Sequence, residues 1–445
     1  MKIDEKTIKQ IYLPKVYLEW INTDSNYPIF LPKISDSQKA KNKKEISIMI
    51  EQLNQQLSSY PGKKKRHFML KFLRILNTTF MLDVARKNKQ CSIWRKDTLH
   101  MISHLLKTEE ICGIHHYLSD EELDCLLQEL ILFLQRERSF APNLPLDEIG
   151  QAIRNYIVYI MFRLLSSDET TASAMKETFS SACFGYSMLY PFTDNYTDSS
   201  TVTKEDKKIY NQMIHDKIKG NTVYPTIKYH KKTCELLQMI ENEYDRSKSP
   251  GIYILLLMIL EAQERSMHLQ TQASSSQEKT RLQTSIFKGG ISVLIDRIFV
   301  NEEISEQDLI FYLNFGFFLQ LADDLQDIKE DHMSGNQTIF TSKTTFGAYE
   351  SVVNQIFHYV HKIINQYAAP RESMKYFIEQ SCYLLILASV YQSKEYFSKE
   401  YLTSLEQCFL IDFDYLEQLS NIDRISAQNT SSSNLMTILD ELLLV

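Results

Sequence analysis

Apolar residues recur three and four positions apart along almost the whole chain, and this spacing most narrows the folds open to it. The stripe is plain in MLKFLRILNTTFMLDVA (69–85), ELDCLLQELILFLQ (122–135), IGQAIRNYIVYIMFRLL (149–165) and AMKETFSSACFGYSMLY (174–190). It returns in YILLLMILEAQERSMHL (253–269), LIFYLNFGFFLQLADDLQDI (309–328), YESVVNQIFHYVHKIINQY (349–367) and MKYFIEQSCYLLILASVYQ (374–392). No segment sustains the two-residue alternation of a half-buried strand. Only 11 glycines and 10 prolines punctuate 445 residues, too few for a loop-rich β architecture. The expected class is all-α, with helices of three to five turns.

Polar breaks divide the pattern at DNYTDSSTVTKED (194–206), TQASSSQEKT (271–280), DHMSGNQTIFTSKTTFG (331–347) and SAQNTSSSN (426–434). Three regions follow: a more basic N-terminal helical layer over 1–120, a main helical body over 121–425, and a short last helix within 426–445. The net charge of −7 argues against a nucleic-acid partner. Seven cysteines, an odd number without a CxxC pair, suit a reducing cytoplasm. The N-terminus lacks an apolar signal core. The longest uninterrupted apolar run, 253–260, falls far short of the roughly 20 residues a membrane span needs. Expected, therefore, is a cytoplasmic protein with no transmembrane segment.

One apolar helix ends in a crowd of acids: FGFFLQLADDLQDIKED (315–331). Asp323, Asp327 and Asp331 are spaced by four and would share one helical face. Like charges at that spacing repel, so a cation must offset them or they must fan into water. A second cluster, TDNYTDSS (193–200), follows the helix predicted at 174–190 and offers Asp194 and Asp198 at the same spacing. Paired carboxylates suit magnesium, which takes oxygen ligands and leaves positions for substrate phosphates. Two facing acidic helices describe a metal–diphosphate clamp.

In this pattern FFLQLADDLQD resembles the second aspartate-rich motif of the trans-prenyl diphosphate synthases. DNYTDSS resembles their first, with Asn195 in place of the second aspartate. The motifs stand 323 − 194 = 129 residues apart, and Lys288 in IFKGGISVLIDRIF precedes Asp323 as a lysine does in that family. The resemblance covers roughly 170–400 and extends to the wider class I isoprenoid synthase superfamily. It implies a class I helical bundle around a central apolar cavity, with several Mg2+ ions held by Asp194, Asp198, Asp323, Asp327 and Asp331. It implies Lys288 and Arg281 on the substrate diphosphate, and Phe184, Tyr186, Phe315 and Phe318 as candidates to line the cavity; a homodimer is a compatible assembly.

Within that superfamily the first motif lacks the arginines that follow it in chain-elongating enzymes. PGKKKRH (61–67) lies too far upstream to match their other phosphate-binding segment. A single-substrate terpene synthase is therefore the leading expectation. It would ionise an allylic prenyl diphosphate and cyclise or rearrange the cation. A trans-prenyltransferase, elongating or coupling head to head, stands close behind. A non-catalytic helical scaffold with solvated acidic faces is the rival from another class. Glu261 and Arg265, four apart, are expected to form an ion pair.

Overall fold

The computed structural model describes residues 2–44, 120–167, 179–199, 201–269 and 278–415. Every regular element among them is helical, as the spacing predicted. The segments 69–85, 61–67 and 426–445 lie outside the described residues. Among the described residues no helix is long and apolar enough to cross a membrane.

The chain opens with α1 (Glu5–Thr7), a π-turn (Ile8–Tyr12) and α2 (Leu13–Ile21). The main body follows as α3 (Asp120–Phe140), α4 (Leu146–Leu165), α5 (Ser181–Asp198), α6 (Lys204–Ile218), α7 (Lys228–Glu243) and α8 (Pro250–Leu269). It continues through α9 (Glu278–Val300), α10 (Glu306–Gln326), the short α11 (Ile328–Ser334), α12 (Phe346–Gln366), α13 (Glu372–Gln392) and α14 (Lys399–Glu406).

Helix α10 is the hub. Ser305 caps it in a reciprocal pair with Asp308, satisfying backbone donors that the first turn would leave orphaned. Its apolar residues point in every direction, among them Phe311, Tyr312, Phe315, Phe317 and Phe318, all buried. That is the signature of a helix surrounded by others. α9, α12 and α13 pack around it, and α2 crosses its outer side. There Trp20, 2% exposed, sets its ring edge-on to Phe317 and Tyr359. The described part of the N-terminal region is thus packed on the main body.

Glycines set the closest approach in the bundle. A Cβ on Gly316 would meet the carbonyl oxygen of Gly289 at 2.1 Å, and one on Gly289 would meet that of Gly316 at 2.3 Å. The backbones of α9 and α10 therefore touch, which only glycine permits. The two helices run antiparallel, since Arg297 of α9 pairs with Asp308 at the start of α10.

Three boundaries differ from expectation. The polar stretch 194–206 is mostly helical: α5 runs on through Asp198, and the break shrinks to 199–203. Thr193 and Thr197 bond their hydroxyls back to the carbonyls of Leu189 and Thr193, absorbing polarity that reads as loop. Second, α6 and α7 were not foreseen. Each buries one narrow stripe, Tyr210, Ile214 and Ile218 in the first and Leu236, Leu237 and Ile240 in the second, within charged sequence. Third, Asp327 ends α10 with φ −101° and ψ 17°. Asp331 therefore belongs to α11, and the expected three-carboxylate face is split over two helices.

Candidate active site

The two acidic motifs meet. Asp194, Asp323, Asp327 and Asp331 line one cavity of about 620 Å³, together with Lys288. It lies between α4, α5, α8, α9 and α10. The acidic groups come from the last turns of α5 and α10 and from α11, so they gather at one end of the bundle.

Asp194 is buried, at 6% exposure. One of its oxygens faces the Lys288 ammonium at 3.1 Å, and the other accepts from Gln263 of α8. Its neighbour Asn195 does not join the carboxylates but donates to Gln151 of α4 at 3.1 Å. Asp198 closes α5; its side chain lies outside the described residues.

The second motif is electrostatically loaded. Asp323 has accessible surface that opens on the cavity although protein surrounds it closely. Burial raises its carboxyl, with Lys288 and Arg154 pulling the other way and Asp194 adding to the rise. Burial, then Asp323, Asp331 and Glu330, push Asp327 up to about 7. Asp331 is raised chiefly by burial, against a hydrogen bond from Asn336 at 2.9 Å. Asp324, 5% exposed, is raised well above the usual carboxylate range, again chiefly by burial. Its Oδ1 accepts from Gln320 at 2.9 Å, while its buried Oδ2 has no partner. Carboxylates crowded in this way hold their protons because ionising all of them is costly.

Arg154 of α4 also lines the cavity, and its charge lowers both Asp323 and Asp327. Sequence reasoning missed it, yet a signal existed. Arg154 and Asn155 stand three and four residues after Gln151, on one face of the helix, and all three line the cavity.

Other expectations are corrected. Arg281 is buried near the start of α9 and is not among the cavity-lining residues. Of the four aromatics, Tyr186 alone lines the cavity. Phe184 packs on Phe133 and Phe140, and Phe315 on Phe162 and Phe318, in solid core. The cavity is not uniformly apolar either. Its mouth is acidic and amide-rich, and its aliphatic wall, including Leu189, Leu256, Ile259 and Leu319, lies further in. The Glu261–Arg265 pair forms as expected, and Lys9 joins it from the N-terminal segment.

The donors suit a hard cation: carboxylate and amide oxygens, with no thiol or imidazole among the described lining residues. Among the described residues no three His, Cys, Asp or Glu side chains converge closely enough to hold an ion unaided. Magnesium held by one or two carboxylates, with phosphate oxygens completing its shell, fits this set. No known family model, curated protein or solved structure matches the chain.

Proposed function

We propose that this protein is a magnesium-dependent class I terpene synthase, with the helical bundle of that superfamily, acting on an allylic prenyl diphosphate. One observation carries the reading: acidic groups 129 residues apart in sequence, with Lys288 between them, line a single cavity. Chance solvated faces would have no reason to converge, which disfavours the scaffold alternative.

Bound magnesium would neutralise the charge that develops on the departing diphosphate; Asp194, Asp323, Asp327 and Asp331 are the groups to hold it. Lys288 would exchange its contact with Asp194 for the leaving oxygens, and Arg154 would add a second donor near Asp323. Charge-assisted bonds of this kind favour the anion that forms as the allylic C–O bond breaks and both its electrons leave with diphosphate. Inward, Tyr186 and Tyr190 line the wall, and aromatic faces stabilise a carbocation. Cyclisation or rearrangement would follow there before the cation is quenched. Among the described residues, Lys288 and Arg154 are the two lysine or arginine side chains lining the cavity, a complement for one diphosphate rather than two. This favours a single substrate over chain elongation or head-to-head coupling.

The test is incubation with geranyl, farnesyl and geranylgeranyl diphosphates, with and without isopentenyl diphosphate, followed by product analysis. Diphosphate release from one substrate alone is expected, and its loss in Asp323→Ala with helicity unchanged. Product that requires isopentenyl diphosphate would replace cyclisation with elongation. Full activity in Asp323→Ala would remove the site.

A further inference from the structure

Asp296 lies on α9 two turns inward from Lys288 and takes no part in the mouth. Lys288, Ser292 and Asp296 follow at intervals of four, share one helical face and all line the cavity. Eight residues of helix rise about 12 Å, so Asp296 stands at the end remote from the acid cluster. Antiparallel α5 runs alongside. Its Tyr186 donates to the Ser292 carbonyl at 3.0 Å and lies 3.3 Å from the Ser292 hydroxyl. The neighbouring wall is aliphatic, with Ile214, Leu237, Leu256 and Val293.

Asp296 is 4% exposed, and burial alone raises its carboxyl far above the usual range. It makes no hydrogen bond or ion pair with any described residue. Two other buried acids are matched by cations: Glu129 by Arg163, with Tyr156 donating as well, and Glu122 by Arg371. A bare carboxyl in an aliphatic wall is costly. Because the side chain borders the cavity, its partner must come from whatever fills the cavity.

We propose that Asp296 and Ser292 form a hydroxyl-binding subsite at the inner end of the cavity, taking an alcohol oxygen carried on the far end of an elongated apolar ligand. That the ligand's other end is a diphosphate rests on the function proposed above; the subsite itself does not. A protonated carboxyl offers one donor and an acceptor, the complement of a hydroxyl. A hydrocarbon end would displace water from the carboxyl and replace none of its bonds. Sites built to bond a hydroxyl strongly reject analogues that lack it. The substrate or product class is therefore a prenyl chain oxygenated at the end remote from the diphosphate.

The experiment is equilibrium binding to the full chain with two pairs of probes. One pair is a long-chain primary alcohol and the α,ω-diol of equal length. The other is an uncleavable prenyl thiolodiphosphate with and without a terminal hydroxyl, in magnesium. The added hydroxyl is expected to tighten binding to wild type by about tenfold or more. Asp296→Leu should abolish that preference and Ser292→Ala should reduce it. Should Asp296→Leu fail to fold, Ser292→Ala and the smaller Asp296→Ala carry the comparison. Equal affinities in wild type, a preference that these variants leave intact, or no binding by any probe would overturn the subsite. If the diol pair shows the preference while the diphosphate pair does not bind, the mouth reading falls and the subsite stands.

Discussion

Asp327→Asn removes a charge from the crowded mouth and keeps the side-chain shape. The wild-type carboxyl is pushed from 3.8 up to about 7 by burial and by Asp323, Asp331 and Glu330. Its proton is therefore held more tightly in the folded chain than in the unfolded one. Stability must fall as pH rises from about 4 to about 7 and level off above that. At about 1.36 kcal/mol per unit, the two units between about pH 5 and the folded value are worth roughly 2.7 kcal/mol. The neighbouring acids titrate with it, so about 2–3 kcal/mol is the expected range. Urea unfolding in chelator at about pH 5 and about pH 8 measures it. The variant's advantage over wild type should widen by that amount between the two conditions. Magnesium with diphosphate should then reverse the order, stabilising wild type and leaving the variant nearly unmoved. A stability gap that is constant or narrows with rising pH would refute the electrostatic account of the mouth.

Gly316→Ala should lose about 3 kcal/mol or more of stability, read by urea unfolding, because its methyl meets the backbone of Gly289. Phe184→Ala should cost about 3–5 kcal/mol while leaving the affinity of cavity ligands unchanged, since that ring is core rather than wall. Lys288→Met should weaken magnesium–diphosphate binding about tenfold or more in calorimetry. Arg281→Lys should leave the same affinity unaltered.

The helical class and the two acidic motifs themselves were legible because both show in short-range spacing; that the motifs meet was expected only through their resemblance to a family with paired motifs. Strong stripes such as 309–328 mark helices whatever surrounds them. α6 and α7 escaped because a helix covering one edge of a bundle needs only a few apolar residues. The break at Asp327 escaped because a spacing of four reads the same whether or not the helix continues through it. Arg154 and Asp296 are single polar residues in apolar runs, and their meaning depends on partners far away in the chain. The aromatic assignments failed for a related reason. Phe184, Phe315 and Phe318 sit at helical spacing in both core and cavity wall, and only packing separates the two.

The segment following α2 closes on the last described residues. The backbone N–H of Ile34 donates to the Gln407 carbonyl, the Lys39 ammonium to that of Glu406 and the Asn42 side-chain amide to that of Leu410. The first of these pairs is separated by 407 − 34 = 373 residues. At a synthesis rate of about 5–20 residues per second, the early segment emerges roughly 20–70 s before the strip it grips. During that interval Leu31 and Asn42, later enclosed, wait at the ribosome without their seat, a lengthy opening for chaperones to engage.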